Sequence, residues 1–147
     1  MRMSEHMVGG SDFSKLTVSQ VMEQEVEAFE ADSGWMEMAS LMTRRGFGSV
    51  PIVDRDDRLI GIVSEYDLLE VLMTNRDPKS VTASEIMTED PVSATEDMFL
   101  PEVIDLLERR HLIHLPVVRE GKLVGLVARR DVLKAFVAAT SEPPRWL

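Results

Sequence analysis

Ser64 and Asp67 stand three apart in "GIVSEYD", residues 61–67, where an apolar run gives way to helical spacing. A strand that passes directly into a helix presents free backbone N–H groups and a partial positive charge to an anion. A serine hydroxyl at that junction can donate to a phosphate oxygen. An aspartate one turn on can accept from both hydroxyls of a ribose. The same residues also suffice as a plain helix start: serine at N-cap accepts the N3 amide, and the acid at N3 completes a near capping box that suits the helix dipole. Gly61 lets a neighbouring backbone or a ligand approach closely. The phrase returns at 125–131 as "GLVARRD", which keeps Gly125 and Asp131 but has Ala128 in place of serine. Alanine can neither cap nor donate. Two readings of the adjacent Arg129 and Arg130 stay open. Either charge replaces the hydroxyl, since arginine binds phosphate bidentately, or the site has degenerated and the arginines are solvated.

The echo extends well beyond this phrase. A shift of 65 residues pairs Ser19 with Ser84, Met22 with Met87, Glu37 with Glu102, Leu41 with Leu106, Arg44–Arg45 with Arg109–Arg110, and Pro51 with Pro116. After one residue drops out of a turn, a shift of 64 pairs Leu59, Gly61, Val63, Asp67 and Leu69 with Leu123, Gly125, Val127, Asp131 and Leu133. So many ordered matches mark two homologous units. Each unit opens with a helical lead-in, "VSQVM" or "ASEIM", and a short strand around "VEAF" or "PVSA". An amphipathic helix follows over Trp35–Arg45, with apolar Trp35, Met36, Met38, Ala39 and Met42 and a C-cap glycine at Gly46. "SVPIV" and "LIGIV" form a hairpin around the five-residue loop "DRDDR". "SEYDLLEVLM" makes a second helix with Leu68, Leu69, Leu72 and Met73 on one side. Residues 92–137 repeat the order strand, helix, strand, strand, helix, with "REG" as the turn. Two units too small to be comfortable alone are expected to stack their sheets over one core.

Both units resemble the CBS domain, through the "IM" lead-in, the "PVV"-type strand, the strand-to-helix phrase above and their tandem order. The resemblance covers residues 18–137. It implies an α/β fold of two pseudo-symmetric β-α-β-β-α repeats packed sheet to sheet, a Bateman module that forms a disc-shaped homodimer. It implies a regulatory, energy-sensing role through AMP, ADP or ATP, with NAD(H) or S-adenosylmethionine as further adenosyl ligands, and no catalytic cofactor. Carried over by position, it gives Ser64 to phosphate and Asp67 to ribose, with Tyr66 between them, and adenine to Val26, Ala28, Val50 and Pro51. In the second unit the matching set is His114, Pro116, Arg129, Arg130 and Asp131. With its serine intact, the Ser64–Asp67 site is expected to be the better one. The domain reading is an N-terminal extension over 1–15, flexible; repeat 1 over 16–73; a polar linker over 74–82; repeat 2 over 83–137; and a tail over 138–147. Trp146 in that tail either docks on a partner or covers the module's own apolar surface.

Other classes are excluded or set aside. A net charge of −10 repels phosphodiester backbones, so no DNA is expected. No stretch approaches the roughly 18 apolar residues of a membrane span. The absence of cysteine excludes disulfides and thiolate chemistry. The first residues lack an apolar signal region, which makes the cytoplasm the default location. His111 and His114 have helical spacing, but no third ligand joins them, so a structural role at the helix-to-strand junction is expected. "DRDDRLIGIVSE" resembles a calcium loop, yet Leu59 occupies the position that needs glycine. The methionines are expected to serve core and dimer packing. No nucleophile–base–orienter set can be assembled, so an enzyme is not expected. The second functional reading is a structural dimerisation module with no ligand. A regulated partner protein is implied by the first.

Overall fold

The computed structural model describes residues 12–140. The elements run α1 (Asp12–Lys15), α2 (Val18–Val21), α3 (Trp35–Arg45), β1 (Ser49–Val53), β2 (Leu59–Ser64), α4 (Glu65–Leu72), α5 (Ala83–Ile86), β3 (Thr88–Glu89), β4 (Ala94–Thr95), α6 (Leu100–Arg109), β5 (His114–Arg119), β6 (Lys122–Ala128) and α7 (Arg129–Thr140). The amphipathic helix and both hairpins lie where the spacing predicts them. Gly46 closes α3 with φ 71°, the left-handed cap that glycine adopts without a Cβ penalty. The second hairpin turns through Glu120 and Gly121, both at positive φ, which matches the right-handed strand twist. In the first hairpin Asp54 Oδ1 accepts the N–H groups of Asp56 and Arg58 at 2.9 and 3.0 Å. The acidic run is therefore occupied in shaping a turn.

The first strand of each unit is shorter than its sequence suggests. In repeat 1 it shrinks to a single parallel bridge, Phe29 to Ile52; in repeat 2 it is Ala94–Thr95, parallel to β5. Glu23, Glu25, Glu27 and Glu30 crowd the first of these segments, and acidic residues are poor strand formers.

The lead-ins cross over. Residues 81–87 pack on repeat 1: Trp35 donates to the Val81 carbonyl at 2.9 Å, Ala83 to Ser33 at 2.9 Å, and β3 pairs antiparallel with β2. The equivalent bonds join residues 16–22 to repeat 2, from Leu100 to the Leu16 carbonyl at 3.0 Å and from Val18 to Met98 at 2.9 Å. Glu23 bridges Leu126 on the edge of β6. Buried apolar residues consequently form two clusters rather than the single shared core expected. One gathers Phe13, Val18, Val103, Leu115, Val117 and Val127, the other Met38, Leu41, Ile52, Val63, Leu68 and Ala83. Each cluster holds a residue from the opposite lead-in, so neither repeat completes its core alone. Val81 lies 1% exposed at the end of the segment read as a polar linker. Residues 12–15, assigned to a flexible extension, form α1, and Phe13 meets Phe136 edge to face at 5.2 Å. The remaining extension, the tail from 141 onward and its Trp146 lie outside the described residues.

Crossing also explains the glycines of the doubled phrase. A Cβ on Gly61 would lie 2.4 Å from Met87 Sδ, and one on Gly125 would lie 2.5 Å from Met22 Sδ and 3.0 Å from the Glu23 carbonyl oxygen. The close approach is made by the lead-in methionines, one per repeat. On α4 the apolar face divides: Leu68 and Val71 are buried, whereas Leu69, Leu72 and the C-cap residue Met73 are exposed. Their counterparts Leu133 and Val137 on α7 are exposed too. Among the described residues no helix is long and apolar enough to cross a membrane.

Candidate functional site

At the start of α4 the sequence's capping box is complete. Asp67 N–H donates to Ser64 Oγ at 3.2 Å, and Ser64 N–H donates to Asp67 Oδ2 at 2.7 Å. At the start of α7 half of it survives, with Ala128 N–H donating to Asp131 Oδ2 at 2.7 Å. Both aspartates are thus held in place by their own helix start. Both helix starts are also tied to the chain before the neighbouring strand: Glu65 N–H donates to the Gly48 carbonyl at 3.1 Å and Arg129 N–H to Ile113 at 2.9 Å.

A cleft of about 680 Å³ lies between the repeats, within the range of small-molecule sites. Gly48, Ser49, Val50 and Pro51 of repeat 1 line one side with Val26, and Ala128, Arg129, Arg130, Asp131 and Lys134 of repeat 2 line the other. Ile113, His114, Glu23, Glu25 and Glu27 also line it. The sequence reading groups Val26, Val50 and Pro51 with Ser64 and Asp67; the structure groups them with Asp131 instead. The pseudo-twofold relation is the reason, because the pre-proline strand of one repeat faces the helix start of the other. Ser64, Tyr66 and Asp67 do not line this cleft, and Tyr66 is 78% exposed. Ala28 is exposed outside it, and Pro116 is buried within β5.

Charge distinguishes the two helix starts. Around α4 stand Glu65, Asp67 and Glu70; the equivalent positions on α7 are Arg129, Asp131 and Lys134, with Arg130 in place of Tyr66. Among the described residues, Arg129, Arg130 and Lys134 form no ion pair. The other two arginine doublets behave as helix ends should. Arg45 pairs with Glu27 at 2.9 Å and lies over the Phe47 ring, and Arg109 pairs with Asp105. Lys134 was hidden to motif reading, though it follows Arg130 by four residues and so shares its helix face. Ser49 was missed as well; its signal is that it occupies the position of His114 in the other repeat.

His114 and Ser49 meet across the repeats, with Ser49 Oγ 2.9 Å from His114 Nδ1. Burial pushes the imidazole below its ordinary value of 6.5, and the Arg129 cation lowers it further, while Asp131 and Glu65 pull the other way. His111 sits apart in a left-handed turn, φ 53°, after α6 ends. Proximity in sequence does not bring the two rings together. Among the described residues no group of three or more His, Cys, Asp or Glu side chains could hold a metal.

Comparison with known proteins adds the following. The CBS domain model matches residues 18–74 and 83–138. An uncharacterized protein of Methanopyrus kandleri is 33% identical over 131 residues, which is 86% of this chain and 67% of that protein. An inosine-5′-monophosphate dehydrogenase of Methanocaldococcus jannaschii is 28% identical, but the match spans 22% of the enzyme. Among solved structures, CBSX2 in complex with AMP superposes with a TM-score of 0.76 at 25% identity, covering 85% of this chain and 98% of that one. The CBS domain pair of protein MJ0100, in complex with 5′-methylthioadenosine and S-adenosyl-L-methionine, gives 0.74 at 25% identity over 82% and 99%. Both of these solved structures are CBS pairs. Two matched copies over most of the chain, folded as those pairs are, mean that it belongs to the CBS domain family.

Proposed function

We propose that this chain is a regulatory module that binds a phosphate-bearing adenosyl ligand, of the AMP class, between its two repeats. The observation that carries the reading is the α7 cleft, lined by Arg129, Arg130 and Lys134, which form no ion pair among the described residues, with Asp131 and the apolar Val26, Val50 and Pro51. Arginine suits phosphate by its planar, bidentate donors. Asp131 can accept from ribose hydroxyls, and the apolar wall can take the base. AMP, 5′-methylthioadenosine and S-adenosylmethionine in the neighbouring structures support an adenosyl ligand. ADP, ATP and NAD(H) share the moiety, and an energy-sensing output in the cytoplasm follows if AMP and ATP compete. The Ser64 half-site, surrounded by carboxylates, serves chiefly as a helix cap. A thermal-shift screen with AMP, ADP, ATP, NADH and S-adenosylmethionine tests the reading, since a ligand at 100 times its Kd adds about 2.7 kcal/mol. No shift from any of them at millimolar concentration would overturn it.

A second reading, a structural dimerisation module, draws on Leu69 of α4 and Met73 just after it, which stand exposed at the positions of Leu133 and Val137 on α7. Apolar faces of this kind suit a second copy of the chain. That reading has no ligand in the cleft; a dimer by itself also fits the first reading, as a ligand-binding homodimer that passes its state to a partner protein. Light scattering of wild type and Leu69→Glu/Leu133→Glu tests the faces: wild type is dimeric and the variant monomeric if they pair, and equal mass in the two removes them as an interface, while the thermal-shift screen decides between ligand and no ligand.

A further inference from the structure

His114 is a titratable group lining the cleft that the proposed contacts to phosphate, ribose and base leave without a task. It opens β5 where Ser49 opens β1, and the two side chains hydrogen-bond at 2.9 Å across the junction of the repeats. Groups from every neighbouring element face it: Ser49 from β1, Glu65 from α4, Arg129 and Asp131 from α7. Glu65 comes close enough that a Cβ on Gly48 would lie 3.5 Å from its Oε1 and 3.6 Å from His114 Nε2. Glu23, Glu25 and Glu27 line the same cleft, as do Arg130 and Lys134. The imidazole therefore sits between the acidic and the basic helix start.

We propose that His114 is a specificity-determining residue of this cleft: an anionic group bound beside Arg129 draws a proton onto the imidazole, so the cleft favours phosphorylated over neutral nucleosides increasingly as pH falls. Burial and the Arg129 cation both disfavour the protonated ring in the free protein. A phosphate reverses the second of these, because it offsets the guanidinium and adds a negative charge nearby. The Ser49 bond survives the change, since a hydroxyl can donate to the bare ring nitrogen or accept from a protonated one. Proton and anion then assist each other reciprocally. The sign is fixed: affinity is flat above the imidazole pKa of the complex, rises as pH falls toward the lower pKa of the free protein, and is flat again below it. A rise of about one unit on binding corresponds to about a tenfold gain in affinity.

This inference rests on the cleft being a nucleoside site. The test is calorimetric titration of the full chain with AMP and with adenosine, at several values between about pH 6 and about pH 8, in buffers of different ionisation enthalpy. Wild type is compared with His114→Asn, which keeps an amide for Ser49. The second ionisation of the phosphate, near 6, affects both proteins alike. Wild type should take up more protons with AMP than the variant and bind up to about tenfold tighter on acidification, while adenosine shows neither difference. Equal proton uptake and equal pH slopes in the two proteins would overturn the role. Should the variant fold poorly, the ring-proton titration of His114 in wild type decides: it must move to higher pH on saturation with AMP, and an unmoved titration overturns the inference. Binding of neither AMP nor adenosine would instead remove the ligand reading, and this inference with it.

Discussion

At the start of α4 the order is Ser64, Glu65, Tyr66, Asp67, with Glu70 a turn later; on α7 it is Ala128, Arg129, Arg130, Asp131 and Lys134. The backbones are alike, and each aspartate accepts the same N–H at 2.7 Å. What differs is one hydroxyl and the sign of the surrounding charge. Capping a helix and attracting an anion are therefore separable duties that sequence motifs tend to merge. The first repeat keeps the cap under a negative field. The second gives up the hydroxyl and faces the inter-repeat cleft with three cations.

Exchanging features between the two starts should break this contrast in graded steps. Arg129→Glu copies the first repeat's charge onto α7; AMP binding should weaken by about a hundredfold, since hydrogen bonds to charged groups are worth about 1.5–3 kcal/mol, as equilibrium dialysis will show. Gly125→Ala and Gly61→Ala test the shared scaffold. Each should lower stability by about 1–3 kcal/mol through overpacking, the former more, because its new Cβ meets the Glu23 carbonyl as well as Met22. Urea denaturation measures both, and Met87→Ala should partly rescue Gly61→Ala. Ser64→Ala should cost about 1 kcal/mol, and Ala128→Ser should recover a similar amount. Neither changes AMP affinity much.

The smallest effect is one of pH. His114 is lowered in the folded protein, so the unfolded chain protonates first. Its contribution to stability is complete above the ordinary value of 6.5, declines as pH falls through that value toward the lower folded-state pKa, and is flat below it. The urea midpoint of wild type should therefore drop more between neutral and mildly acidic pH than that of His114→Asn.

Much of the fold was legible because its signals are local. Helical spacing over Trp35–Arg45, the glycine after it, and β-branched runs around polar turns each specify an element from neighbours in sequence. The doubled phrase then supplied the pseudo-symmetry. The crossing of the lead-ins was not legible. "VSQVM" and "ASEIM" each hold a four-residue helix, with nothing in them to name a partner in the opposite repeat. Their one trace was the pairing of Met22 and Met87 with the glycines of β6 and β2. The site was half legible for the same reason. His114, Arg129, Arg130 and Asp131 were all named, but which apolar wall lies with which aspartate depends on how one repeat rotates onto the other. That assigned Val26, Val50 and Pro51 to Asp131 rather than to Asp67.

The central claim is that the cationic start of α7, and not the serine-capped start of α4, holds the ligand. Calorimetric titration of AMP into wild type, Ser64→Ala and Arg129→Ala/Arg130→Ala tests it most directly. The account predicts one AMP per chain in wild type and in Ser64→Ala, and loss of binding in the double arginine variant. Binding that disappears with Ser64 and persists without the two arginines would contradict it.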